Sequence, residues 1–291
     1  MSHGMTNRIP ASIEVAPAQA IESDALPGLF PPGTSVYVTD IGTDTVQTHV
    51  AAARRVRDLG YEPVPHVASR RLTTRAMLDE RIGRLAAEAG VRDVLVIGGG
   101  LKDHAGEFDS TMSVLETGVF DRHAIRRIGV AGHPEGSPDF DEGTALDALR
   151  LKRNFAARTG AELRIVTQFG FAPERFTAWA DGLAAHGLDV PVHLGVAGPA
   201  TLKTLLKFAA LCGVGNSIEF LRKNALKVTA LMGTQSPEDV VAPIEAHWRA
   251  NPRSPIASIH AFPFGGLQRT ADWLRERGSW VDQPAEAVAA E

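Results

Sequence analysis

Eight short apolar runs punctuate the chain, near residues 12, 37, 64, 95, 129, 165, 192 and 259, and most lead into a stretch with helical spacing. Repeated strand–helix units force successive strands to run parallel, because an antiparallel pair needs no crossover helix. A parallel strand covered on both faces reads as a continuous apolar run, as Val94–Ile97 does. Eight such units predict a closed (β/α)8 barrel, a TIM barrel, rather than an open doubly wound sheet.

The expected strands are Ala11–Ala16, Val36–Thr39, Pro63–Val67, Val94–Ile97, Arg127–Gly132, Leu163–Phe169, Val190–Gly195 and Ile256–Phe262. Helices are expected at Thr45–Leu59 and Leu146–Thr159, each stopped by a glycine (Gly60, Gly160), the residue that ends helices at least cost. Thr74–Ala89 is amphipathic, with Leu78, Ile82 and Leu85 on one face and Arg75, Glu80, Arg81 and Arg84 off it. Further helices are expected at Pro173–His186, Ala200–Leu211, Ser217–Lys223, Ser236–Ala250 and Gly266–Arg277. The apolar Ala200–Cys212 stretch reads as core packing. No linker interrupts the pattern, so one domain over residues 9–281 is expected, with flexible ends at 1–8 and 282–291. MSHGM reads as an expression remnant ahead of Met5.

Charge and composition remove several classes of function. The 30 basic and 34 acidic residues are well mixed and give a net charge of −4, so no nucleic-acid footprint stands out. No apolar run approaches membrane-spanning length, and the start lacks a signal-peptide apolar region. A single cysteine, Cys212, fits a reducing cytoplasm. No H-E-x-x-H or close cysteine/histidine set supports a metal site, and the G-x-S-x-G, G-x-G-x-x-G and Walker patterns are absent.

In barrels of this kind the chemistry sits at the carboxyl ends of the strands. Glu14, His66, Gly98–Gly100, His133, Gln168 and His260 all fall at such ends. Glu14 is the sharpest, since a carboxylate within an apolar strand costs several kcal/mol to bury unpaired. The 103–109 segment (DHAGEFD) reads as a solvated loop.

The order of these strand-end motifs resembles the methylenetetrahydrofolate reductase family, in a divergent, short bacterial-type branch. The resemblance rests on SIEVAP (12–17), PHVAS (65–69), VLVIGGG (94–100), GVAGHPEGSP (129–138) and IVTQFGF (165–171), with GLQRTADW (266–273) as a weaker piece. It implies a cytoplasmic FAD flavoprotein of one-carbon folate metabolism and methionine biosynthesis. Such an enzyme interconverts 5,10-methylenetetrahydrofolate and 5-methyltetrahydrofolate with NADH or NADPH as electron donor. Residue by residue, the resemblance implies Glu14 as proton donor to the folate and Gln168 as the pterin contact. Thr48, His66, Gly98, Gly99, Gly100, His133 and Lys152 would surround the flavin, and Arg269 would lie near the substrate. Members of the family often form homo-oligomers, although no stretch here marks an interface.

The departures from the family pattern are specific. Gly98–Gly100 replaces an Arg-Gly-Asp, His133 stands where a tyrosine is usual, Ser137 replaces a histidine, and Leu202 aligns with an aromatic. Three alternatives stay open: an oxidase working on 5-methyltetrahydrofolate, a flavin-independent reductase, and a folate-binding protein without catalysis.

Overall fold

The computed structural model describes residues 8–137, 139–212 and 234–280. Eight parallel strands close into a barrel: β1 (Ala11–Val15), β2 (Ser35–Val38), β3 (Glu62–Ala68), β4 (Asp93–Ile97), β5 (Arg127–Gly132), β6 (Glu162–Phe169), β7 (Val192–Ala197) and, last in sequence, β10 (Ile256–Phe262). Sequence neighbours pair around the ring, β7 pairs β10, and β10 pairs β1 to complete it. A separate two-stranded ribbon joins β8 (Ala200–Thr201) to β9 (Thr234–Gln235) in antiparallel fashion. The first two residues of the expected Ala200–Leu211 helix therefore belong to a strand.

Helices α1 (Pro17–Glu22), α2 (Val46–Asp58), α3 (Arg75–Glu88), α4 (Thr111–Leu115), α5 (Val119–Arg122), α6 (Glu142–Thr159), α7 (Pro173–Ala185), α8 (Leu202–Leu211), α9 (Glu238–Ala250) and α10 (Leu267–Glu276) lie in the connections. The expected Ser217–Lys223 helix lies outside the described residues. Helix α6 begins four residues ahead of the expected Leu146, because the Asp141 carboxylate accepts the Thr144 backbone N–H and caps it there. It ends at Gly160, whose φ of 74° is left-handed, as the sequence suggests.

Alternation along each strand sends residues outward to the helices or inward to the barrel axis. The outward set, with Ile13, Val36, Val94, Val96, Ile128, Val130, Leu194 and Ile259, joins the helices in one large apolar core. The inward set contains only a small apolar cluster of Tyr37, Val64, Leu95 and Val166, with Ile97 packed against it. Polar side chains share the rest of the interior. Arg164 on β6 reaches across the barrel to the Tyr37 hydroxyl on β2 (2.9 Å) and to Asp93 on β4 (2.8 Å). These strands are thus apolar outside and mixed inside, which a continuous-run reading does not distinguish.

The loops after β3 and β4 are tied together. The Arg70 backbone N–H donates to Gly98 O (3.1 Å), and Arg71 Nε donates to Gly99 O (3.0 Å). Gly99 has φ +95°, and a Cβ there would stand 2.9 Å from Ala68 Cβ, so a side chain is doubly disfavoured. The following loop is solvated as expected at Asp103, His104, Glu107 and Asp109, while Phe108 is buried and Glu107 accepts the Arg75 backbone N–H at the start of α3.

Candidate active site

Glu14 points inward one residue before the carboxyl end of β1, level with Tyr37 on β2. Its side chain keeps 14% of its exposure, yet its surroundings are largely dehydrated. Burial disfavours the ionised form and pushes its pKa up to about 7, with the nearby His66 working in the opposite direction. At neutral pH this carboxyl is therefore divided between acid and carboxylate.

Two histidines flank it. His260 on β10 places Nε2 3.6 Å from Glu14 Oε2 and is 1% exposed. His66 on β3 is buried, and its ring stands edge-on to Tyr37 at 6.1 Å. Burial holds both neutral: it drives His66 down to about 4, and together with the Arg164 charge it drives His260 to about 3. Nε2 of each ring is buried without a hydrogen-bond partner among the described residues. Such an orphaned group costs about 1–3 kcal/mol, a cost natural cores rarely carry without use.

Behind His66 stands a buried support. Arg81 on α3 pairs with Asp40 at 2.8 Å, donates to His49 Nδ1 (2.9 Å) and approaches the His66 carbonyl (3.4 Å). Arg81 is only 11% exposed. In the sequence it sits off the apolar stripe of its helix, so it reads there as a surface residue. Thr48, in the first turn of α2 beside His49, is half-buried, and its backbone N–H donates to Thr45 Oγ1 to cap the helix.

Around the rest of the rim, Gln168 is half-exposed at the end of β6, where its amide oxygen accepts the Phe169 backbone N–H (3.2 Å). A register shift in the β6–β7 pairing falls here, and a Cβ on Gly195 would stand 2.5 Å from Thr167 O. Phe262, Phe264, Phe169 and Phe171 form an aromatic cluster, extended by Phe208 of α8 stacked on Phe264 at 4.1 Å. Of the expected apolar α8 stretch, Leu202, Leu205 and Ala209 are buried, while Leu211 is 70% exposed.

His133 and Lys152 come together on the β5–α6 side. Lys152 falls on the buried face of α6 with Leu149 and Phe155. It is 7% exposed, and no carboxylate pairs with it among the described residues. Burial lowers its pKa to about 8, and burial followed by the Lys152 charge lowers His133 to about 4. A lysine inside the 149–152–155 stripe is a signal the sequence does carry. An uncompensated buried cation fits an anionic group such as a diphosphate. Gly98 and Gly100 leave open space, since a Cβ on either would meet nothing within 4 Å. Arg269 is exposed in the first turn of α10. A cavity of about 460 Å³ lies at the opposite end of the barrel, lined by Ser12, His193, Ser258 and Trp280 among others. It opens at the amino ends of the strands, whereas barrels of this kind carry their chemistry at the carboxyl ends, so we place the site at the rim around Glu14.

Comparison with known proteins identifies the family. The family model described as methylenetetrahydrofolate reductase matches residues 28–224. A 5,10-methylenetetrahydrofolate reductase of Pectobacterium carotovorum subsp. carotovorum is 30% identical over 199 residues, covering 66% of this chain and 62% of that protein. Methylenetetrahydrofolate reductase 1 of Schizosaccharomyces pombe is 29% identical over 177 residues, covering 56% of this chain and 26% of that protein. The matched segments thus span less than two thirds of either relative. A solved structure of a Clostridium thermocellum protein, described as binding two copies of 5-methyl-5,6,7,8-tetrahydrofolic acid, shares the fold. Its TM-score is 0.55 at 12% identity, covering 92% of this chain and 94% of that one. Among the described residues no helix is long and apolar enough to cross a membrane. With a closed eight-stranded parallel barrel and a family match over two thirds of its length, this chain belongs to the methylenetetrahydrofolate reductase family.

Proposed function

We propose that the protein is a flavin-dependent oxidoreductase of folate metabolism, interconverting 5,10-methylenetetrahydrofolate and 5-methyltetrahydrofolate with a nicotinamide as electron donor. The observation that carries this reading is Glu14: a carboxyl at the barrel rim whose pKa is about 7, between two neutral buried histidines. A general acid is most effective when its pKa lies near the working pH. Opening the methylene bridge requires a proton on the departing nitrogen, and Glu14 is the group to supply it. When bound, FAD would carry hydride from the nicotinamide to the folate. Lys152 would hold its diphosphate by charge, and the open strand-end loop at Gly98–Gly100 would let its ring lie close to the backbone. His66, Thr48 and His133 would line its ring and ribityl chain. Gln168 would orient the pterin by its amide, and Arg269 would receive the anionic part of the substrate. The site would act in the cytoplasm, and the two ligands would take turns at one flavin face.

A second reading, direct hydride transfer without flavin, draws on one observation: Gly98 and Gly100 supply no side chains where the family pattern named above has an arginine and an aspartate. The absorption spectrum of the purified protein separates the two, with a flavin spectrum expected. In Glu14→Gln, reduction of the flavin by nicotinamide should persist while folate turnover is lost. Full folate turnover in that variant would remove Glu14 from its role.

A further inference from the structure

Glu14 has two oxygens, and its surroundings treat them differently. Oε2 faces His260 Nε2 at 3.6 Å, just beyond hydrogen-bond reach. On the far side of the ring, Nδ1 lies 2.9 Å from Ser12 Oγ. Ser12 is on the same strand as Glu14, one inward position below it, and in register with His260 on β10. The Ser12 hydroxyl has one proton and two acceptors in view, Nδ1 at 2.9 Å and the Ile259 carbonyl at 3.5 Å; the shorter contact is the stronger. If Nδ1 accepts that proton, the neutral ring carries its own on Nε2, aimed at Glu14. The ring is held there by Tyr37, with centroids 4.4 Å apart, and by Phe262 edge-on at 5.0 Å.

We propose that Ser12 and His260 act as positioning residues for Glu14, holding Oε2 as the acceptor of the His260 Nε2–H so that the acidic proton resides on Oε1. This rests on the role of Glu14 proposed above. When Glu14 gives up the Oε1 proton, the same N–H donates to the carboxylate that is left, and the 3.6 Å separation closes to a full hydrogen bond. The orphaned Nε2 is then satisfied in the charged state of the acid, so part of its cost in the resting protein is returned during turnover.

The other groups around this pair leave that N–H distinctive. Tyr37 on β2 stays protonated, with burial pushing it up to about 12. His66 on β3, His193 on β7 and His260 itself are neutral at pH 7. Arg164 on β6 is engaged by Asp93 on β4 and by Tyr37, and Arg127 on β5 also meets Asp93. Past α8, Cys212 is exposed, and desolvation of its sulfur followed by the Glu14 charge pushes it up to about 11, so its thiol is uncharged.

The test is the titration of Glu14 itself, read by pH-difference infrared spectroscopy of its carboxyl stretch in the purified protein and assigned by its loss in Glu14→Gln. Loss of a donor to the charged form raises a carboxyl pKa, so His260→Phe should move the midpoint up by about one unit. Ser12→Ala should shift it in the same direction by less, and Ser12→Thr should restore it. The descending limb of the pH profile for folate turnover should move with it. A residue that serves folding alone would lower activity at every pH without moving either curve. If His260→Phe does not fold, Ser12→Ala decides. An unmoved midpoint in the folded variants overturns the proposal, whether or not the protein turns over folate. Conversely, a shifted midpoint in a protein without folate turnover would uphold the pairing and remove the proposed reaction instead.

Discussion

Replacing Glu14 by glutamine should remove the proposed chemistry and, above neutral pH, strengthen the fold. The folded-state pKa of about 7 lies above the ordinary value of 4.5, so the native protein holds this proton more tightly than the unfolded chain does. The stabilisation from that proton is complete below the unfolded pKa and is lost as pH rises through 4.5 towards 7. At about 1.36 kcal/mol per unit, the shift is worth roughly 3 kcal/mol. Glutamine matches the protonated acid in shape and carries no charge to desolvate. Urea unfolding of both proteins at several pH values should therefore show a difference that is small near about pH 4.5 and grows in favour of Glu14→Gln by roughly 3 kcal/mol near about pH 8.5. The buried His193 and His260, whose depressed pKa values destabilise the fold as pH falls below the ordinary histidine range, are common to both chains and cancel, and His66, which is coupled to Glu14, is held mostly neutral by burial over this range. A difference that stays flat across this range would refute the claim that Glu14 is a desolvated acid.

Lys152→Met should follow the same logic with the opposite charge. Its folded pKa of about 8 lies below the ordinary 10.5, so the charged lysine weakens the ligand-free fold at pH 7. The variant should unfold at higher urea concentration, by roughly 3 kcal/mol, and should release flavin more readily on dialysis. Arg164→Met leaves Asp93 buried without its nearest cation and should cost about 3–5 kcal/mol in the same assay. Arg164→Met with Asp93→Leu should recover most of that loss, and no recovery would contradict the view that the charge of Asp93 is the cause.

The outer half of this fold is legible in the sequence, and the inner half is not. Strand positions follow from apolar runs because their outward residues face helices, and Gly160 marks its helix end by the left-handed turn it adopts. The inner network escapes that reading. Tyr37, Asp93 and Arg164 sit on three different strands and meet only because the sheet closes. Arg81 looks like surface until Asp40, 41 positions earlier in the chain, turns out to lie against it. The site shows the same division. Glu14 is conspicuous as a carboxylate in an apolar strand, whereas its pairing with Ser12 and His260 depends on β1 lying beside β10, the first and last strands of the barrel. Asp141 is a cap signal present in the sequence, and overlooking it shortens α6 by four residues.

The account depends most on Glu14 being the proton donor to folate at a flavin site. The most direct measurement is anaerobic rapid mixing of flavin-reduced protein with 5,10-methylenetetrahydrofolate, following the return of the oxidised flavin spectrum. Rapid reoxidation in the parent chain and essentially none in Glu14→Gln, with both reduced equally well by nicotinamide, is the predicted result. Reoxidation of Glu14→Gln at the parent rate would contradict it.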